Sequence, residues 1–250
     1  MYGGSKEEII MIFKKHRRIF MQIAAVLLLL VSLTGFAAAA ELPVLLPTEG
    51  EFFNTDVYDG MNEWPHYSPD GEHYGFDEDF WDGCSVYCAV EKSSVTAKSS
   101  STLDPQSKYT YGAAHLVDGK RDTVWSEGAK GHGIGQSVTI TENIKLHSDE
   151  KKIDYLSLCI VNGYIRTPET WKNNSRVKTM TLSVNGKELC RLQLNDTMKP
   201  QYFDLTSLGI TNSSGKNITF RLTIKDVYPG EKYQDTCLTG VEFQFFAPSH

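Results

Sequence analysis

Nine residues near the end of the chain, Asn217-Ile218-Thr219-Phe220-Arg221-Leu222-Thr223-Ile224-Lys225, alternate apolar and polar without a break. That period of two belongs to a strand with one face in a core, and it cannot supply the stripe a helix needs. Met180, Leu182 and Val184 repeat the pattern, as do Cys190, Leu192 and Leu194, and Val241, Phe243 and Phe245 close the chain with it. Residues 153–161 are apolar on both faces, with Leu156, Leu158 and Ile160 opposed to Tyr155, Cys159 and Val161, which predicts a central strand. Asn185-Gly186 between two alternating segments marks a two-residue hairpin. From about Ser85 onward the expected fold is all-β, an antiparallel β-sandwich or jelly roll.

The region before it has a different composition. Residues 14–18 read Lys-Lys-His-Arg-Arg, an apolar run follows over 19–34, and four alanines at 37–40 precede Glu41. This is the layout of a secretory signal peptide over residues 1–40, with Met11 and Met21 as alternative starts. The competing reading is an uncleaved anchor, because the apolar run approaches bilayer-spanning length. Glu41, not a cysteine, stands directly after the alanines, so a lipid anchor is not indicated. The expected destination is the cell exterior or cell surface.

From Glu41 to Glu91 there are thirteen Asp or Glu and no Lys or Arg, whereas the remainder carries twenty basic and sixteen acidic residues. The net charge of −6 therefore hides an acidic leader and a mildly basic body. Residues 41–83 also hold many aromatics without periodicity, and are expected to be a poorly ordered linker. The sandwich is expected over 84–250 and to fold without that leader.

In an oxidising compartment Cys84 and Cys88 can close a small loop, and they are expected to pair. Cys159, Cys190 and Cys237 lie in strand patterns, where a cysteine acts as a small apolar residue. The spacing of Cys84 and Cys88 lacks the second pair or histidines of a zinc cage.

The stretch Asp118-Gly119-Lys120-Arg121-Asp122-Thr123-Val124-Trp125-Ser126-Glu127-Gly128 runs into Gly131-His132-Gly133-Ile134-Gly135. Glycines this dense mark a tightly folded loop. A Trp and a Glu held in such a loop are suited to sugar recognition, the ring against C–H bonds and the carboxylate against hydroxyls. The alternative is a hairpin turn with Trp125 in the core.

Eight short motifs run in order along the chain. Cys84-Ser85-Val86-Tyr87-Cys88 and Ser99-Ser100-Ser101-Thr102-Leu103 come first. Ala113-Ala114-His115-Leu116-Val117-Asp118-Gly119 leads into Thr123-Val124-Trp125-Ser126-Glu127-Gly128 and Gly133-Ile134-Gly135. Asn162-Gly163-Tyr164, Asn173-Asn174-Ser175-Arg176-Val177-Lys178 and 226–236 complete the series. In this joint order the chain resembles the NADase-type glycan-binding domain, the NAD glycohydrolase translocation domain, a branch of the discoidin-like, galactose-binding-like jelly rolls. The resemblance covers about 84–246.

It implies a non-catalytic sandwich that binds carbohydrate through loops 125–135, 162–176 and 226–236. On those loops the candidate glycan residues are Trp125, Glu127, Asn162, Tyr164, Asn174, Arg176, Tyr228, Lys232, Tyr233 and Asp235, with Trp171 ranked below them. Their rings, amides and charges suit sugar hydroxyls. Each also has an ordinary structural role open to it; Arg176 with Asp235 can be a loop-bracing ion pair, and Tyr228 can be turn packing.

Many discoidin-like sandwiches hold a structural calcium near the first Asp-Gly loop. Asp118, Asp122 and Thr123 can contribute oxygens. The matching last-strand position is Gly240, with Glu242 two residues on, so calcium is allowed but no cofactor is expected. Enzymatic activity is not expected: there is no nucleophile elbow or phosphate loop, the glycine spacing at 131–135 is not a dinucleotide fingerprint, and His115 and His132 lack evident partners. The chain has no room for a glycohydrolase domain beside the sandwich.

The leading expectation is an exported binder of cell-surface or extracellular glycans. The rival is an accessory module that docks a separate secreted enzyme or toxin, and a third reading uses Glu127 and Asp235 as a hydrolytic pair. No nucleic-acid partner is expected, and membrane contact only through an uncleaved signal segment.

Overall fold

In the computed structural model twelve strands follow one another as β1 (Val44–Leu45), β2 (Thr48–Glu49), β3 (Tyr87–Ala89), β4 (Glu91–Ser99), β5 (Trp125–Ser126), β6 (Ser137–Lys145), β7 (Tyr155–Asn162), β8 (Ser175–Val184), β9 (Lys187–Gln193), β10 (Gln201–Asp204), β11 (Asn217–Tyr228) and β12 (Thr236–Pro248). The structure describes residues 41–50, 87–89, 91–145, 153, 155–211 and 215–248. The expected signal peptide and Cys84 lie outside them, and Cys88 is described by its backbone alone, so the expected Cys84–Cys88 bridge lies outside as well. Among the described residues Cys159, Cys190 and Cys237 are free and buried. Burial pushes the thiols of Cys190 and Cys237 up to about 12, so they behave as apolar filling.

The alternating segment is β11, and its neighbours explain the pattern. It pairs antiparallel with β6 on one side and β8 on the other, with Phe220 opposite Ile140 and Val184. Ile218, Phe220, Leu222 and Ile224 are buried on one face, while Arg221 and Lys225 are exposed on the other. The order β4-β6-β11-β8-β9-β1 forms one layer, and β2-β10-β7-β12 forms the other. Phe220 of β11 stacks on Phe243 of β12 with ring centroids 3.7 Å apart, and this contact packs layer on layer. The expectation of a central strand at 153–161 holds: β7 lies between β10 and β12, and Leu158, Cys159, Ile160 and Val161 are all buried. The hairpin also holds, with Asn185 and Gly186 both at positive φ (48° and 86°), as a two-residue turn of the primed type requires.

Two features depart from expectation. The sheet is mixed rather than wholly antiparallel. Thr236–Cys237 runs parallel to Ser175–Arg176, joining the two layers at one end, and β1 runs parallel to β9. The leader, moreover, is not all linker. Its first residues form β1 against β9 and β2 against β10, so residues 43–50 bridge the free edges of both layers. Backbone bonds from Arg191 N–H to the Pro43 carbonyl and from Gly50 N–H to the Pro200 carbonyl fix the two ends of this strap. Alternation never marked it, because two-residue strands carry no period.

The sole α-helix among the described residues is α1 (Pro168–Asn173), begun by a reciprocal capping box between Thr167 and Thr170 with Pro168 in the first turn.

Candidate functional site

The three predicted loops do converge at one end of the sandwich, but most of the side chains expected to meet a ligand hold the loops together instead. Trp125 is 0 % exposed, is part of the core, and donates from Nε1 to the Ser101 carbonyl at 3.1 Å. It is core filling, not a stacking platform. Glu127 is also 0 % exposed. Its Oε2 accepts from Ala129 N–H at 2.7 Å and its Oε1 from Thr236 N–H, which ties the glycine loop to β12. Desolvation pushes its carboxyl above the usual range, against the pull of those two donors. Gly133, at φ +66°, makes room for it: a Cβ there would lie 2.5 Å from the Glu127 side chain.

Asn162 is buried and exchanges two bonds with the Val177 backbone, donating from Nδ2 at 2.7 Å and accepting at Oδ1 at 2.9 Å. Arg176 is buried too, and its carboxylate partner is Asp196, not Asp235. It also donates to the carbonyls of Asn174 and Pro229 and lies 4.5 Å from the Trp171 ring centroid. Trp171 is anchored by Nε1 to the Asn162 carbonyl, Asn174 by Nδ2 to the Thr170 carbonyl, and Tyr228 by its hydroxyl to the Leu194 carbonyl. The backbone N–H groups of Glu231, Lys232 and Tyr233 bond the carbonyls left open at the end of α1. Ser175 completes the bracing: its hydroxyl meets His132 Nδ1 at 3.0 Å and accepts from Gly230 N–H at 3.1 Å.

Six expected residues keep some exposure: Lys232 and Tyr233 are exposed, and Tyr164, Asn174, Tyr228 and Asp235 are half-buried. Lys232 lies 5.1 Å from the centroid of the Tyr233 ring. Desolvation pushes the Asp235 carboxyl up. Beside them stands a group that the sequence reading did not select. The loop between β4 and β5 turns through Ser107, at φ 56°, with Gln106 and Tyr109 bonded to each other through their backbones. This turn presents Tyr109, 37 % exposed. The Arg166 guanidinium sits 5.0 Å from the centroid of that ring, within hydrogen-bonding reach of the Tyr109 and Tyr164 hydroxyls. That hydrogen bond holds the Tyr109 hydroxyl below the usual phenol range. Lys108 reaches the same ring at 5.5 Å. Half-buried Tyr111 lies within electrostatic range of Tyr164, Tyr109 and Asp235, and burial raises its pKa. Two tyrosines spaced by one residue in a polar loop, Tyr109 and Tyr111, are the sequence signal of this group.

His115 and His132 do have partners. His115 Nδ1 faces Asp118 Oδ2 at 3.1 Å and its Nε2 faces the Thr110 hydroxyl at 2.9 Å, which fastens the tyrosine loop to the Asp118 turn. The order hydroxyl, imidazole, carboxylate is that of a nucleophile relay, but Asp118 already closes its own turn by accepting from Lys120 N–H and the Thr123 hydroxyl. The same contacts engage the oxygens that the allowed calcium set would use. Asp118 is taken up by these donors, and the described residues contain no group of three or more His, Cys, Asp or Glu side chains that could hold a metal ion. Glu127 and Asp235 do not form a free carboxylate pair either, because both Glu127 oxygens accept backbone N–H groups.

Fold and site together define a discoidin-like β-sandwich with a braced loop end carrying exposed tyrosines and cations. Residues 86–244 match the NAD glycohydrolase translocation F5/8 type C domain, and the chain belongs to that family. No curated protein matches the chain. Among solved structures it is similar to the arabinofuranosyltransferase AftD from Mycobacteria, at 12% identity and TM-score 0.36, over 74% of this chain and 14% of that one. It is also similar to the beta-galactosidase BgaA of Streptococcus pneumoniae, at 9% identity and TM-score 0.28, over 60% of this chain and 90% of that one. Both likenesses are too distant to carry a functional inference. No helix among the described residues is long and apolar enough to cross a membrane.

Proposed function

We propose that the loop end is a non-catalytic carbohydrate-binding surface of an exported protein, centred on Tyr109, Tyr111, Tyr164, Arg166 and Asp235, with Lys232 and Tyr233 beside it. One observation carries the reading. An exposed aromatic ring and convergent polar groups stand on loops that a buried layer of Trp125, Glu127, Asn162 and Arg176 holds rigid. Rings of this kind stack on the C–H faces of sugars, and fixed donors and acceptors around them select hydroxyls. Rigid support lowers the ordering cost of binding.

The family's description favours a second reading, in which the same surface docks a separate NAD glycohydrolase. A glycan array probed with the full chain separates the two. Binding that Tyr109→Ala reduces at least several-fold, without release of reducing sugar, supports the first. An array on which nothing binds, beside a stable complex with a glycohydrolase, supports the second. Sugar release that depends on Thr110 and His115 would make the relay catalytic and overturn the non-catalytic reading.

A further inference from the structure

Arg166 differs from the other well-placed cations of the body. Arg176 is paired with Asp196 and Lys178 with Asp226, whereas among the described residues Arg166 meets the Tyr109 ring and the hydroxyls of Tyr109 and Tyr164. Lys108 lies on the same Tyr109 ring, and among the described residues no carboxylate pairs with it or with Arg166. Among the described residues two cations therefore share one exposed ring with no anion between them, and the phenols hold the guanidinium in place without neutralising it. A planar fork of N–H donors fixed in this way matches a carboxylate in two parallel bonds. The Tyr109 face beside it offers a sugar ring a stacking surface. Of the carboxylates on the neighbouring loops, Asp235 is half-buried and Glu169 and Glu231 are exposed, and among the described residues none of them forms an ion pair with Arg166 or Lys108.

We infer that the Arg166–Tyr109–Lys108 cluster is a subsite for a sugar residue bearing a carboxylate, a uronic or sialic acid unit, so that the ligand class of this end is acidic rather than neutral glycan. The inference rests on the carbohydrate reading above and makes it more specific.

The test is calorimetric titration of the full chain with trigalacturonic acid, with galactotriose as its neutral counterpart and with sodium acetate as a carboxylate without a sugar. Trigalacturonic acid is expected to bind at least about ten-fold more tightly than galactotriose, the size of one charge-assisted bidentate contact. Arg166→Gln is expected to erase that preference, bringing trigalacturonic acid down to the affinity that the same variant shows for galactotriose. Arg166→Lys should recover only part of it, because an ammonium lacks the fork. Lys108→Gln should cost about two- to three-fold on the acidic ligand and flatten its salt dependence. Arg166 is exposed, so its variants are expected to melt with the wild type, which a thermal scan checks directly. Equal affinity for the two sugars, or an acidic preference that survives Arg166→Gln, overturns the subsite while leaving glycan binding intact. Acetate competing as well as the acidic sugar overturns the sugar requirement. Failure of both oligosaccharides, together with an array on which nothing binds, removes the carbohydrate reading itself and the subsite with it.

Discussion

Arg176 grips Asp196 through two parallel hydrogen bonds, Nε to Oδ1 at 3.0 Å and Nη2 to Oδ2 at 2.8 Å, beneath the loops rather than on their surface. The pair joins the start of β8 to the segment after β9, and Nη1 of the same guanidinium reaches the Asn174 carbonyl and, on the 226–236 loop, the Pro229 carbonyl. Replacing Arg176 by Ala is expected to destabilise the fold by about 2 kcal/mol. This is less than a fully buried pair would lose, because the Asp196 side chain is 35% exposed. Arg176→Lys should recover little of that, since it cannot make both parallel bonds. Thermal unfolding of the two variants checks this.

Trp125 is the second support. With the indole wholly buried and its N–H bonded to Ser101, Trp125→Ala is expected to cost about 3–5 kcal/mol of stability. The folded fraction should bind ligand as the wild type does. Denaturant unfolding alongside an affinity measurement on that fraction reads both quantities. Lost affinity with unchanged stability would return Trp125 to the binding surface.

These two residues show where sequence reading succeeded and where it stopped. The loops that converge were legible because glycine clusters and motif order mark backbone paths, period-two alternation placed β8, β9, β11 and β12, and an apolar run on both faces placed β7. The fate of individual side chains was not. Trp, Glu, Asn and Arg in a tight loop have the same composition whether they face a sugar or brace a turn. Only the partners decide: Ser101 for Trp125, Ala129 and Thr236 for Glu127, Val177 for Asn162, Asp196 for Arg176. Tyr109 escaped notice because its role comes from Arg166, more than fifty residues away in the chain. The strap at 43–50 escaped because its two-residue strands gain their meaning from the edges of β9 and β10.

The strap supplies a third prediction. A chain beginning at Leu42 keeps both β1 and β2, whereas one beginning at residue 51 leaves the edges of β9 and β10 without them. The shorter chain is expected to melt lower and to self-associate at raised concentration, because unpaired strand edges are templates for other chains. Thermal scans and light scattering compare the two lengths. Equal melting and equal monodispersity would restore a boundary near residue 84.

The last prediction concerns Glu127 and pH. Its carboxyl is raised mainly by desolvation, so the folded chain holds the proton more tightly than the unfolded chain does. Between the unfolded pKa and the raised folded one, the folded state carries more protons, and stability must fall as the pH rises. The contribution is therefore fully present below the ordinary carboxylate range and is lost as the pH climbs through that range to the raised value. Half-buried Asp235 is shifted in the same direction by the same cause and adds to the slope. Glu127→Gln removes the titration but leaves one acceptor oxygen for two backbone donors, Ala129 and Thr236. The variant is accordingly expected to lose about 1–3 kcal/mol at acidic pH, where the wild-type carboxyl is protonated and best accommodated. That difference should narrow as the pH rises and the wild type begins to bear a buried charge. Melting temperatures of both chains between about pH 4 and about pH 8 measure the narrowing, and parallel curves would show that Glu127 titrates no differently in the fold than out of it.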